Sequence, residues 1–130
     1  MLLIKNFDQF LDALNLCDTG IYSYEEVIET TPIDPEEIAD IAEGIPLSGY
    51  SKVLLERKYF KVQLITLGVG DKMSISDTGQ HSWMKCIKGA IRISDTDTMV
   101  KTDETIKVSR GQGIENIRGK EAMAILVLVA

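Results

Sequence analysis

From residue 50 onward the chain alternates apolar and polar side chains, and short turns interrupt the alternation at regular spacing. Successive side chains of a β-strand point to opposite faces, so this period of two is typical of half-buried strands. Eight or more short strands joined by such turns predict a small barrel or jelly roll. The predicted strands are Tyr50–Leu55, Phe60–Leu67, Lys72–Ser76, Trp83–Lys88, Ala90–Ser94, Met99–Thr102, Thr105–Ser109, Ile114–Ile117 and Ala122–Ala130.

The first third of the chain carries helix signals instead. Asn6 with Gln9, and Ser23 with Glu26, have the spacing of capping boxes, which satisfy the free backbone N–H groups at a helix start. The segment Asp34–Glu37 combines a cap, a proline at the first helical position and acids in the first turn. Three short helices are therefore predicted before the strands.

The third helix is predicted to end at Gly44, which Pro46 follows. The change of period after it places the division of the chain at residue 48. Residues 1–48 are predicted to form a helical segment packed on a barrel of residues 49–130, within a single domain.

Composition narrows the classes of function. A net charge of −6 and a pI near 4.8 disfavour nucleic acid, whose phosphates would be repelled. The apolar ends Met1–Ile4 and Ala122–Ala130 are too short for a secretory or membrane-spanning segment, so no membrane partner and a cytoplasmic location are predicted. Cys17 and Cys86 lie far apart in the sequence, so a structural disulfide is not expected. The chain has a single histidine, His81, so no site of several imidazoles can form in one subunit.

The segment Gly70–Gly89 has the pattern G-x5-S-x-T-x3-S-x6-G and is predicted to form strand, tight loop and strand. Ser76 and Thr78 are two residues apart and are therefore predicted to face one side of the sheet. The pattern resembles the first motif of the cupin barrels, in which the Ser76 and Thr78 positions are metal-binding histidines. The resemblance implies a mainly β fold, a cupin-type double-stranded β-helix or jelly roll preceded by short helices.

Within the cupins, the chain more closely resembles the cysteine dioxygenase family of thiol dioxygenases. Its segments are similar to that family's Tyr-x-Arg strand, F-x-x-x-L-x-x-W-x-x-G segment, P-I-H-D-H-G loop, V-L-E-G strand end and H-R-V-E-N segment. The resemblance extends from about Tyr50 to Val129. The matching segments, in the same order, are Tyr50–Lys52, Phe60–Gly70, Ser74–Gly79, Trp83–Gly89 and Gln112–Asn116.

The same resemblance implies that the catalyst is missing. The family holds Fe(II) with three histidines, and the matching positions are Ser76, Thr78 and Gln112, whose neutral oxygens are poor ligands for Fe(II). Lys52 replaces the arginine that grips the substrate carboxylate, and Ser82 replaces a cysteine that some members crosslink to a tyrosine. A metal-free pseudoenzyme without cofactor or catalytic residues is expected.

Strand parity predicts what lines the barrel interior. Gln63, Ile65 and Leu67 are expected to share it with Ser82, Met84 and Cys86. This interior is predicted either to be a filled core or to be a pocket for a small polar or anionic molecule. In the second case Lys52 would pair with a carboxylate. The predicted ligand-binding residues are Tyr50, Lys52, Ser76, Thr78, Ser82 and Gln112.

Three functions stay open on these observations. The first is a non-catalytic cupin that binds a small molecule or another protein. The second is a cupin enzyme, a thiol dioxygenase-like oxidoreductase with an atypical metal site or one completed across a dimer interface. The third is a structural subunit that pairs with its partner through an exposed sheet. The resemblance also allows a homodimer.

Overall fold

The computed structural model describes residues 4–41, 50–75 and 81–129, apart from the side chains of Tyr50 and His81. Short helices come first: α1 (Phe7–Asn15), a 3-10 turn (Cys17–Thr19), α2 (Tyr24–Thr30) and α3 (Pro35–Ile41). Strands follow: β1 (Tyr50–Glu56), β2 (Phe60–Leu67), β3 (Lys72–Ser74), β4 (His81–Lys88), β5 (Ala90–Ile93), β6 (Thr98–Lys101), β7 (Thr105–Val108), β8 (Gly113–Glu115) and β9 (Ala122–Val129). The predicted mainly β architecture is confirmed.

The predicted caps start the first two helices. The side chains of Asn6 and Ser23 each accept the backbone N–H three residues later, at 2.9 and 3.0 Å. Asp34 caps α3 at 2.9 Å, but the carboxylate of Glu37 accepts the N–H of Phe7 at 2.9 Å and so joins α3 to the start of α1. The predicted end at Gly44 and the division at residue 48 lie outside the described residues.

The strands form two antiparallel sheets. The five-stranded sheet has the order β1-β2-β9-β4-β7, and the four-stranded sheet has the order β3-β8-β5-β6. Strand β9 is central: Phe60 to Leu67 of β2 pair with it on one side, and His81 to Lys88 of β4 pair with it on the other. Apart from the neighbouring pairs β1–β2 and β5–β6, consecutive strands lie in different sheets, as in a jelly roll.

The two sheets enclose an apolar interior. Ile65, Leu67, Met84 and Cys86 all lie in it with at most 1% of their surface exposed, which confirms the predicted parity of β2 and β4. The remaining members of this interior core are Ile75, Ile91, Ile93, Val100, Val108, Ile114, Ala122, Ala124, Leu126 and Leu128.

The helices cover the outer face of the five-stranded sheet and create a second core there. Phe10 and Leu14 of α1 and Val27 and Ile28 of α2 pack in a cluster with the odd-numbered residues of β9, of which Val127 is fully buried. Strands β2 and β9 are therefore buried on both faces, which explains why the final strand is apolar at every position rather than alternating.

Candidate functional site

A small cavity opens between the two sheets at the end where β1, β2 and β3 meet. Its volume is about 80 Å³, room for two or three water molecules. Five of its eight described lining residues are apolar, and Ser74, one of the three polar ones, is exposed. The lining residues are Ser51, Gln63, Ile65, Met73, Ser74, Ile75, Ile114 and Leu126.

The polar chemistry of the cavity comes from three neutral side chains. The amide nitrogen of Gln63 donates a hydrogen bond to the hydroxyl of Ser51 on the neighbouring strand. An amide can make four hydrogen bonds, and among the described residues Ser51 is the one partner of the Gln63 side chain. Among the described residues, the Gln63 amide and the Ser74 hydroxyl keep unused donors and acceptors beside five apolar side chains.

The register of β1 overturns the predicted orientation of Lys52. Ser51 pairs with Ile65 of the interior, whereas Lys52 pairs with Leu64, which belongs to the outer core beneath the helices. Residues directly opposite each other in an antiparallel pair share a face, so Lys52 faces outward and is exposed. An unpaired ammonium in the apolar interior would carry a large desolvation cost, which a serine avoids.

Two further predicted ligand-binding residues, Ser82 and Gln112, do not line this cavity. Ser82 is fully buried in the interior, opposite Val108 and Leu128, but away from the cavity lining. The amide oxygen of Gln112 accepts the N–H of Ser109 at 2.7 Å, and its nitrogen lies 3.2 Å from a carboxylate oxygen of Asp95. Gln112 therefore closes the turn before β8.

Tyr50 pairs through its backbone with Thr66, and its side chain lies outside what the structure describes. Ser76 and Thr78 also lie outside the described residues, so their predicted place at the site stays a prediction.

Comparison with solved structures decides the fold. A cupin of the RmlC-like type from Methanocaldococcus jannaschii matches with a TM-score of 0.58 at 16% identity, over 67% of this chain and 84% of that one. The cupin domain of an XRE-family transcriptional regulator from Enterobacter cloacae matches with a TM-score of 0.54 at 13% identity, over 62% and 95%. The fold is that of the cupins. A cupin superfamily protein from Desulfitobacterium hafniense gives a similar match, with a TM-score of 0.55 at 12% identity, over 71% and 86%.

No protein-family model matches the sequence. No curated protein matches it either. Among the described helices, none has the length and apolar character needed to cross a bilayer.

The described donor set of this cavity does not fit Fe(II), the metal of the family that the sequence resembles. Fe(II) in proteins is held by imidazole and carboxylate groups, while Ser51, Gln63 and Ser74 offer neutral hydroxyl and amide groups. Within residues 4–41, 50–75 and 81–129, no three His, Cys, Asp or Glu side chains gather into a cluster able to hold a metal ion. No metal chemistry is therefore derived from these residues.

Sequence reasoning missed Ser51 and Ser74 and placed Gln63 in the interior without giving it a role. The missing information was which alternate residues of β1 face the barrel interior. Regular pairing of the two strands from the turn at residues 57–59 would set Lys52 opposite Ile65. The irregularity between Val53 and Leu55 shifts the register by one residue and brings Ser51 opposite Ile65 instead.

Proposed function

We propose that this protein is a non-catalytic binding module on a cupin barrel, and that the cavity at Ser51, Gln63 and Ser74 takes a small uncharged molecule. The hydrogen-bonded pair of Gln63 and Ser51 lies beside apolar side chains and, among the described residues, keeps unused hydrogen-bonding capacity; this observation carries the proposal. Binding sites for small molecules commonly combine apolar walls with a few placed polar groups.

The charge of the ligand follows from the lining. None of the described residues that line the cavity is ionisable, and Lys52 faces away from it. A carboxylate would lose its hydration without gaining a cation, which costs several kcal/mol or more. A neutral group that both donates and accepts hydrogen bonds, such as an amide or an alcohol, matches the Gln63 amide and the two hydroxyls without that cost.

The size of the ligand follows from the volume. About 80 Å³ accommodates a group of only a few non-hydrogen atoms, well below the 300 Å³ or more of a typical drug-sized pocket. A larger molecule would therefore insert one small polar group and leave the rest at the mouth beside Ser74.

We further propose that the barrel is related to the cysteine dioxygenases, which the matching sequence segments support. A barrel descended from such enzymes but without ligands for iron would keep an interior recess and lose the reaction. Binding is then the role supported by the described residues.

The test uses the side-chain amide of Gln63 as a reporter. Acetamide, glycerol, urea and acetate are titrated to millimolar concentrations into the ¹⁵N-labelled protein, and the side-chain NH2 signals are followed by NMR. The Gln63 signals are assigned with Gln63→Glu, and those of Gln9, exposed on α1, serve as the control. We expect acetamide or glycerol to shift the Gln63 signals with saturation while acetate does not.

Two results would reject the proposal. One is a Gln63 signal that moves no more than that of Gln9 with every probe. The other is a response to acetate that exceeds the response to acetamide, which would require a cation at the cavity.

A further inference from the structure

A second concave region lies where three segments of the barrel meet. Its volume is about 690 Å³, within the range of small-molecule pockets. Gly89 lies between β4 and β5, and Ala90 begins β5. Lys101 ends β6, Thr102 follows it, and Arg118–Lys120 precede β9. None of these residues lines the cavity at Ser51 and Gln63. We refer to this second region as the basic groove.

Three cations line the basic groove of a protein whose net charge is −6. Over the described parts of the chain, the side chains of Lys101, Arg118 and Lys120 form no ion pair. The carboxylate of Glu104 accepts the backbone N–H of Lys101 at 2.7 Å and forms no ion pair with the Lys101 ammonium. Like charges collected without partners repel each other, and an anion between them would relieve that repulsion.

The backbone that carries Arg118 and Lys120 is held in place by a buried amide. Asn116 is fully buried, donates to the carbonyl oxygens of Leu67 at 3.0 Å and Lys120 at 2.6 Å, and accepts the N–H of Arg118 at 3.1 Å. The backbone at Arg118 and Lys120 is therefore fixed before a ligand binds, which lowers the entropy lost on binding.

The wall of the groove at Gly89 and Thr102 packs closely against the residues that follow the Arg118–Lys120 turn. Gly89 has φ of +75°, and a Cβ added there would lie 2.7 Å from the carbonyl oxygen of Glu121. The hydroxyl of Thr102 donates to the carbonyl oxygen of Gly89 at 2.8 Å and ties in the end of β6. All three segments of the groove are thus joined, so the groove is a formed feature of the fold.

We propose that the basic groove binds an organic phosphate of small-molecule size. A guanidinium presents a planar fork that matches two phosphate oxygens, and two ammonium groups add point charges beside it. The volume exceeds what a phosphate alone would fill, so the organic part of the ligand lies along the wall at Ala90. A nucleic acid chain is the less suitable occupant, because a net charge of −6 repels a polyanion and three cations neutralise few phosphates.

The experiment is a titration with inorganic phosphate, ribose 5-phosphate and AMP, followed by backbone amide shifts in ¹⁵N-labelled protein at low salt. We expect ribose 5-phosphate or AMP to bind more tightly than inorganic phosphate and to shift the amides of Gly89, Thr102 and Gly119. The triple variant K101Q/R118Q/K120Q should weaken this binding by at least about tenfold, since charge-assisted hydrogen bonds are lost.

A matched control separates the groove from general electrostatics. K5Q/K52Q/R57Q removes the same number of positive charges at exposed positions away from the groove and should keep the affinity. Gly119→Leu keeps the cations but adds a side chain where a Cβ meets nothing within 4 Å. It should weaken binding of AMP more than binding of inorganic phosphate.

Three outcomes would overturn the proposal. Equal loss of affinity in both triple variants would show that binding depends on the net charge of the protein and not on the groove. Shifts outside the groove would place the site elsewhere. A single-stranded oligonucleotide that binds the groove more tightly than AMP, with affinity rising with length, would identify a nucleic acid surface instead.

Discussion

The ammonium of Lys85, in the middle of β4, donates a 2.6 Å hydrogen bond to the carbonyl oxygen of Thr31, just past the end of α2. It also lies 3.2 and 3.3 Å from the carbonyl oxygens of Ile28 and Glu29. These are the carbonyls that a helix end leaves without partners, and the charge suits the negative end of the helix dipole. Burial lowers the pKa of Lys85, and Asp103 and Glu29 oppose this shift.

We expect Lys85→Met to lower the free energy of unfolding by about 1–3 kcal/mol, because three buried carbonyls lose their donor. Urea denaturation measures the change. Lys88→Met is the control, since Lys88 ends the same strand but is exposed. A variant as stable as the wild type would mean that the desolvation cost of burying the ammonium cancels the stabilisation from its hydrogen bonds.

Cys86 should make the protein sensitive to alkali. Burial raises the pKa of the Cys86 thiol from 9.0 to about 11. The unfolded chain then ionises this thiol at lower pH than the folded chain does, so its contribution to stability is complete below pH 9 and is lost as the pH rises towards 11. Cys86→Ala should therefore lose less stability than the wild type between these two pH values.

Denaturation at a series of pH values tests this, because the difference between variant and wild type cancels the other titrating groups. Val108→Ala, also fully buried in the interior core, serves as the control for lost volume. It should be destabilised by the same amount at every pH. A parallel pH profile for Cys86→Ala would contradict the assignment.

Ser82→Ala should leave the protein as stable as before or stabilise it by up to about 1 kcal/mol. The Ser82 hydroxyl is fully buried and has no hydrogen-bond partner among the described residues, and a buried unpaired hydroxyl carries a desolvation cost. Thermal unfolding of Ser82→Ala beside Ser109→Ala, an exposed serine, measures the effect. A loss above about 1 kcal/mol would reveal a partner for the hydroxyl.

The protein should not oxidise cysteine, cysteamine or 3-mercaptopropionate, even with added Fe(II). The cavity offers neutral oxygens, and Gln112 is engaged by Ser109 and Asp95. Elemental analysis of untagged protein should find no stoichiometric transition metal, and an oxygen electrode should record no uptake beyond that of Fe(II) and thiol alone. Uptake that depends on the protein would favour the enzyme alternative.

The sequence predicted the fold because strand alternation and helix caps are local signals, as Asn6 and Ser23 illustrate. The cavity was harder to predict, since its lining depends on the register between strands. Lys52 and Ser51 are adjacent, and only the pairing with β2 determines which of them faces inward. Lys85 shows the same limit. The sequence alone favours an exposed lysine, because the carbonyl groups that accept its hydrogen bonds lie more than fifty residues away in the chain.

The position of β9 between β2 and β4 has a consequence for how the chain reaches its native state. Strand β2 is synthesised well before β9, with all of β3 to β8 between them, yet the two pair along their full length. Until β9 arrives, β2 has an unpaired apolar edge, and the cover that α1 and α2 form over β9 cannot be completed. Such distant pairing closes slowly, so a nascent chain of this kind is most exposed to self-association, and most in need of a chaperone, late in its synthesis.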